Sequence, residues 1–490
     1  MTNLLSIVTI ALALLTSGCT KKDFGDVNID PYNTTTPNTR LLLTGALKAL
    51  PATTNNTDGV MYAQYLSNVQ YTDGSRFVAF QFSYASLYVG TTGTNPQAGP
   101  LINLQRIIEA NTNPELAAAA QGNGSTANQI AVARILKAYY FFHITNRWGD
   151  IPYFQALKPD SSYVPKFDRQ EDVYVDLFKE LKEASAQFDN GALVTGDIFL
   201  SGSVARWKMF ANSLRLIMAL RLSKANPVLG KAEFLQAKAA GVAMTNAESF
   251  PYAHLADANN QNEWYARYIT RYDYAISTSF LAYLKNVNDP RIPAMIDKPA
   301  NGSDYNGMPF GLAVTSGIPA TTVSPVALSL RRQNTPEIII RASHILFTLA
   351  EGEKLGWNTA GVPNDAQAAS YYNEAIKISM EQFGVYTTSA YANYIAQPLV
   401  SYTPGEAIKK ISEQRWVALY LNGYEAWMEW RRTGYPVLSP GPAPMSVSGQ
   451  IPRRQAYTPD ENNLNKTNYD AVVADQGPDR VDTRMYIDPL

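Results

Sequence analysis

The sequence predicts a mostly α-helical protein. Its scaffold is expected to be tetratricopeptide-like helix pairs, interrupted by long irregular, loop-rich insertions. Three observations predict this. Val173, Leu177, Leu181, Ala184 and Phe188 recur at steps of four, four, three and four, which lays one apolar stripe along a helix. Ala368, Tyr372 and Ala375 have the small–aromatic–small spacing of the second helix of a tetratricopeptide unit, and such units stack into a shared core. Gln70–Pro100 and Glu248–Leu330 are rich in Tyr, Gly, Pro, Asn and Thr and keep no helical period. Loops of that length are uncommon in compact domains and are often functional.

In chain order, Leu4–Leu15 is an apolar run followed by Thr16-Ser17-Gly18-Cys19. It is too short to span a bilayer and suits an export signal. Small residues before a cysteine resemble a bacterial lipobox, so residues 1–18 read as a signal peptide and Cys19 as the lipidated first residue of the mature chain. Each buried CH₂ of an acyl chain contributes about 0.8 kcal/mol, so two or three chains anchor firmly. Cys19 is also the single cysteine, which excludes a disulfide within the chain. Residues 19–38 read as a polar tether, and 39–490 as a single domain whose irregular half lies mainly in 248–330 and 439–490.

Leu41, Leu42, Gly45 and Ala49 begin the first helix, which Pro51 stops, and Asp58–Val69 reads as its partner. Leu101–Ala120 and Ala127–Ile144 make the next pair, and Asp168 precedes the amphipathic helix already described. Ser203 is placed to cap a helix through Trp207, Phe210, Leu214 and Ile217, apolar nearly all round and so expected to be deeply buried. Ala232–Ala243 follows, then one helix within the irregular stretch at Ser277–Lys285. Helical patterning resumes at Glu337–Leu355 and Asn364–Phe383. Trp416, Tyr420, Gly423 and Trp427 share one helical face in the stretch Ile411–Leu438, and Gly434 and Pro436 end it. A glycine inside a helix costs about 1 kcal/mol against alanine, so Gly423 predicts a close backbone approach. Glu425 and Glu429 stand among these rings beside Arg431 and Arg432, which predicts buried ion pairing. From Ser439 onward the chain is polar and Pro/Asn/Asp-rich, and it reads as an ordered, mostly irregular tail packed on the helices.

Together, RWGDIPY (Arg147–Tyr153), WKMFANSLRLIMALRLS (Trp207–Ser223), ILFTLAEGEKLGW (Ile345–Trp357), YYNEAIKISMEQFGV (Tyr371–Val385), the Ile411–Leu438 stretch and IPRRQAYTPDENNLN (Ile451–Asn465) resemble the SusD/RagB-like outer-membrane lipoproteins, in particular the SusD-like, starch-binding-associated branch. His344 stands where that family usually carries an acidic residue, and Met485–Asp488 where it has a Trp-rich ending. The resemblance implies four helix-pair units supporting an irregular second half. It also implies a surface lipoprotein that passes an oligosaccharide or a peptide to a SusC-like TonB-dependent transporter of the outer membrane.

The search for chemistry comes out thin. The three histidines, His143, His254 and His344, lie far apart and outside any zinc spacing. Gly122–Ala127 matches a dinucleotide fingerprint, but an alanine-rich helical run precedes it where a strand is needed. Asp257, Asn259, Gln261 and Glu263 alternate like calcium ligands, yet Asn262 occupies the position that requires glycine. No metal, cofactor or catalytic residue is assigned. With 41 basic and 42 acidic residues, nothing in the overall charge draws the chain to nucleic acid.

The positive signal is aromatic. Tyr71, Phe77 and Phe80 crowd the first long loop, Trp264, Tyr268, Arg271 and Tyr272 the second, and Tyr305 and Asn306 the glycine-rich stretch after it. A sugar ring has an apolar face and a hydroxyl rim, and rings flanked by amides and guanidinia serve both. These nine residues form the expected ligand site, with Trp264 foremost because indole offers the largest flat face and an N–H donor. A surface glycosidase, a peptide-capturing protein of the RagB kind, and a transporter lid that binds no ligand stand as the alternatives.

Overall fold

The computed structural model describes residues 37–78, 83–91, 97–158 and 164–489. The apolar leader, Cys19, the tether up to residue 36, and Phe80 lie outside the described residues. Thr39–Leu490 forms one compact unit with a large core of its own.

Ten helices carry that core: α1 (Thr39–Lys48), α2 (Pro100–Thr112), α3 (Thr126–Trp148), α4 (Gln170–Gln187), α5 (Val204–Arg221), α6 (Pro227–Ala240), α7 (Ala342–Lys354), α8 (Asp365–Gln382), α9 (Ala407–Ala418) and α10 (Gly423–Thr433). The pairs α1–α2, α3–α4, α5–α6 and α7–α8 pack along their lengths. Local chemistry explains their starts. Ser125, Ser203 and Asn364 each accept a backbone N–H from the first turn of α3, α5 and α8, and Pro100 and Pro227 open α2 and α6, where a missing N–H costs nothing. Val173, Leu177, Leu181 and Ala184 are buried as the stripe requires, and so are Ala368, Tyr372 and Ala375. From Trp207 to Ile217, α5 buries nearly every residue. Among the described residues no helix is long and apolar enough to cross a membrane.

Three expectations need correction. The expected helix Asp58–Val69 is only Thr57–Tyr62. Gln64 then takes a positive φ of 55°, and β1 (Leu66–Asn68) leaves to pair antiparallel with β3 (Tyr274–Ile276). Glu337–Ile340 is strand β4, paired antiparallel with β2 (Phe250–Tyr252), and the helix starts only at Ala342. Its Ile338-Ile339-Ile340 run fits a pleated, buried surface, and a long-range partner decides the matter. The Trp416–Trp427 stretch is two helices, α9 and α10, broken at Leu419–Asn422. Leu421 sits at φ 68°, and the guanidinium of Arg341 binds the carbonyls of Ala418 and Tyr420 that the break frees. The chain after Ser439 is mostly irregular, as expected, and includes the helices Pro459–Leu464 and Lys466–Gln476.

The pairing expected around α10 is present between Arg432 and Glu429, and arginines of other helices join it. Glu429 is bound by Arg415 and Arg432, Glu351 by the same two guanidinia, and Glu425 by Arg221, nearly all of it out of solvent. Among the described residues Arg431 forms no salt bridge to a carboxylate. It donates to the carbonyls of Arg453 and Asn146 and lies 3.9 Å from the centre of the Trp427 ring.

Candidate functional site

The β1–β3 ladder builds the site. Asn68 lies opposite Tyr274 and the Val69 N–H donates to Asp273 O at 2.8 Å, so the register carries Tyr71 toward Arg271. The Arg271 guanidinium donates to the Tyr71 hydroxyl at 3.1 Å and lies 5.0 Å from its ring centre. On its other side it holds Asp273 through two bonds of 2.8 and 3.2 Å. A planar guanidinium fixed in this way presents its remaining donors in a set direction. Tyr71 is 66% exposed and Tyr272 45% exposed, so both offer ring face to a ligand.

Beside Tyr272 lies a cleft of about 170 Å³, lined also by Val69, Asp297, Lys298, Thr321 and Arg331. Arg331 stands 5.8 Å from the Tyr272 ring and 5.0 Å from the Tyr268 ring, and Asp297 holds it at 3.3 Å. Lys298 lies 5.8 Å from the ring of Tyr305, which is half-buried. Burial, then the nearby Asp297 and Asp304 carboxylates, push the Tyr305 hydroxyl above its ordinary pKa, so it stays protonated and can donate. Asn306 is exposed, with its amide N–H₂ donating to Thr322 O at 2.7 Å. Of the expected residues, Tyr71 and Arg271 therefore meet at an accessible position, and Tyr272, the next residue in the chain, is exposed at the cleft that Lys298 joins to Tyr305.

Three others do not. Trp264 is 2% exposed, near Tyr274 and under Arg267, in a short helix capped by Asn262. Its flat face is already covered by the protein. Phe77 is 2% exposed between Tyr62 and Phe310, and Tyr268 is 7% exposed with its hydroxyl donating to Tyr274 O. These rings are packed inside the protein and act as fasteners, Phe77 against the helix Thr57–Tyr62 and the other two within the irregular half. In a stretch without helical period, spacing cannot tell such fasteners from platforms. Asp297, Lys298 and Arg331 line the candidate cleft and were not legible from sequence. Asp297 and Lys298 lie in a featureless loop, and Arg331 is one of two adjacent arginines, with nothing to show which faces the cleft.

A second polar cavity, of about 410 Å³, lies between the end of α1 and the loop that holds Asp257–Glu263. In that loop the calcium-like spacing resolves into a turn. Asp257 accepts the Asn259 N–H at 2.9 Å, and Glu263 pairs with Arg267 at 3.0 Å. Elsewhere the fold brings His344, Glu425 and Glu429 together, with potential metal-ligand atoms within 4.8 Å of one another. Arg221 binds Glu425 and approaches Glu429 at 3.4 Å, so a guanidinium already supplies the positive charge these carboxylates require. No sequence spacing could have shown that grouping, because it joins α5, α7 and α10.

Comparison with known proteins agrees with this architecture. Residues 31–458 match a family model described as starch-binding, associating with outer membrane. None of the curated proteins matches. Among solved structures, a chitin-binding protein is 25% identical, superposes with a TM-score of 0.77, and aligns over 92% of this chain and all of its own. A chitin-binding SusD homologue from Flavobacterium johnsoniae is 22% identical, with a TM-score of 0.73 over 92% of this chain and 98% of its own. A SusD homologue from Bacteroides fragilis is 23% identical, with a TM-score of 0.75 over 92% and 99%. The helix pairs, the irregular half they carry and a family match spanning most of the sequence lead to one conclusion: the chain belongs to the SusD-like family of outer-membrane-associated, starch-binding-type proteins.

Proposed function

We propose that this protein captures an oligosaccharide at the Tyr71–Arg271–Tyr272 face and hands it to a SusC-like TonB-dependent transporter, while a lipid on Cys19 tethers it to the outer membrane. One observation carries the capture step: exposed Tyr71 is bound to a guanidinium that Asp273 also holds, and the adjoining exposed Tyr272 lines a cleft edged by Arg331 and Lys298. The tyrosine faces would take the C–H face of a sugar ring, and the cations and the Tyr305 hydroxyl would meet its hydroxyl rim. Family membership supports the nutrient-binding role, and the chitin-binding relatives support a glycan over a peptide.

The reading is binding without bond cleavage. Asp273 and Asp297 on this face are each engaged by a guanidinium, which orients cations for recognition. A glycosidase instead needs two carboxyls free to act on opposite sides of the glycosidic bond. The decisive experiment is calorimetry on the soluble chain lacking residues 1–19 against chito-oligosaccharides, malto-oligosaccharides and mixed peptides, followed by sizing of the glycan. Saturable binding of a glycan that keeps its length supports the proposal. Binding of peptides alone, or shortening of the glycan, refutes it.

A further inference from the structure

The cavity between α1 and the following loop is distinct from the tyrosine face and shares no lining residue with its cleft. One wall comes from Lys48, Pro51, Ala52, Asn55 and Asn56, and the other from His254 and the Ala258–Arg267 segment. At about 410 Å³ it falls in the range of small-molecule sites. Its chemistry is unusual: five carboxamides line it (Asn55, Asn56, Asn259, Asn260 and Gln261), and no aromatic ring does except the His254 imidazole.

The walls are held by the protein itself. Tyr252 donates its hydroxyl to Asn260 Oδ1 at 3.0 Å, the Leu255 N–H donates to Asn260 O at 2.9 Å, and the Asn262 N–H donates to Gln333 O at 2.8 Å. On the opposite side, Asn56 Oδ1 accepts the Asp58 N–H at 2.8 Å and the Tyr424 hydroxyl at 3.0 Å, which leaves its N–H₂ to donate. Asn55 has the converse arrangement, since its N–H₂ is spent on Glu337 at 2.6 Å and its carbonyl oxygen is left to accept. Gln261 uses its oxygen on Gln333 at 3.1 Å and keeps its N–H₂. The cavity thus offers fixed donors and fixed acceptors, a pattern that suits hydroxyl groups, which are both. Charge does not select an anion, because Glu263 answers Arg267 at 3.0 Å and Lys48 stands exposed at the rim.

We propose that this amide-lined cavity is a second carbohydrate subsite, one that takes a neutral, hydroxyl-rich terminal sugar by its edge without stacking. The inference rests on the glycan-binding reading of the protein. A glycan long enough to reach both places would gain a second foothold here, and effective concentration would then raise its affinity above that of either site alone.

Chitotriose and maltotriose are the probes, each titrated into the soluble chain lacking residues 1–19 and soaked at high concentration into its crystals. The core described lies wholly within Thr39–Leu490, so this form keeps it. Two variants address the cavity: Asn259→Leu removes an exposed amide at constant size, and Ala258→Trp fills space from an exposed position. A third, Tyr272→Ala, addresses the tyrosine face. The expected result is sugar density in the cavity, with a weaker binding component that falls about five- to tenfold in Asn259→Leu, as for one lost hydrogen bond to a polar ligand. Ala258→Trp should abolish that component, and Tyr272→Ala should leave it unchanged. Sugar on the tyrosine face with an empty cavity, or binding unaltered by both cavity variants, overturns the subsite and leaves the glycan reading standing. Sugar in the cavity alone overturns the tyrosine face instead. An absence of density and heat at both places overturns both.

Discussion

Gly423 and Gly59 meet backbone to backbone. A Cβ built on Gly423 would lie 2.2 Å from Gly59 C and 2.1 Å from Val60 N, and one on Gly59 would lie 2.5 Å from Tyr424 N. Neither glycine has a positive φ, so what is needed is space and not an unusual backbone conformation. The contact seats the first turn of α10 on the helix Thr57–Tyr62, just before the chain enters β1 and the candidate face at Tyr71. Gly423→Ala and Gly59→Ala should each lower stability by about 3 kcal/mol, at the upper end for overpacking because backbone and not a flexible side chain must yield. Denaturant unfolding of either variant checks this; a loss below about 1 kcal/mol would mean that the helices separate easily.

The buried network of Glu351, Glu429, Arg415 and Arg432 gives a prediction in acid. Burial alone would raise both glutamates, but the adjoining guanidinia (chiefly Arg432 and Arg415 on Glu351, Arg415 and Arg432 on Glu429) outweigh it and hold both below the ordinary carboxylate range. A depressed folded pKa means the unfolded chain binds the proton more readily. The contribution is therefore present above the usual glutamate pKa of about 4.3 and is lost as pH falls through the lower folded value. Stability should drop steeply below about pH 4, and Glu429→Gln should flatten that limb. At pH 7 the same change should cost about 3–5 kcal/mol, because it strands buried arginine charge. Melting curves of both proteins from pH 3 to pH 7 decide it. An acid limb unaffected by Glu429→Gln would place the titrating groups elsewhere.

Much of the fold could be read from the sequence because apolar periodicity is a local property. Val173–Phe188 and Ala368–Ala375 announce buried stripes without reference to any partner. The strands could not be read so, because Leu66–Asn68 takes its conformation from a partner about 210 positions away and Glu337–Ile340 from one about 90 positions away. The site was legible by half for the same reason. Tyr71 and Arg271 were marked by composition, while Asp297, Lys298 and Arg331 gain meaning only from the folding of their loops around Tyr272.

Trp264 is where that limit can be measured. Its burial predicts that Trp264→Ala costs about 3–5 kcal/mol of stability, the range for removing a large core ring. Tyr272→Ala, at an exposed position, should stay within about 0.5 kcal/mol of the parent. Thermal unfolding of the two variants side by side tests the assignment, and a Trp264→Ala protein as stable as the parent would return the indole to the ligand face.

The anchor is tested apart from the fold. The apolar run ending at Ser17-Gly18-Cys19 is the motive, and Cys19→Ser removes the thiol that would accept the acyl chains. The variant should leave the membrane fraction for the soluble one while keeping its ligand binding. Sedimentation of Cys19→Ser with outer membranes would show that something other than a lipid holds it there.

The face itself makes the last prediction. Arg271 is fixed by Asp273 and by the Tyr71 hydroxyl, and both tyrosines beside it are exposed. If a sugar stacks on Tyr272 while Arg271 binds its rim, Tyr272→Ala and Arg271→Ala should each weaken glycan binding by about 2 kcal/mol, the size of a hot-spot loss. Their melting temperatures should barely move, because neither side chain holds up the core. Arg271→Lys should fail to restore affinity. A lysine keeps the charge but not the planar fork that binds Asp273 while presenting further donors. Tyr71→Phe should cost less than Tyr71→Ala, since it keeps the ring and loses only the hydroxyl that steadies Arg271. Calorimetry with the best-bound glycan ranks the four variants. A well-folded Arg271→Ala protein with unchanged affinity would remove the guanidinium from the site, and unchanged affinity in Tyr272→Ala as well would move ligand capture away from this face.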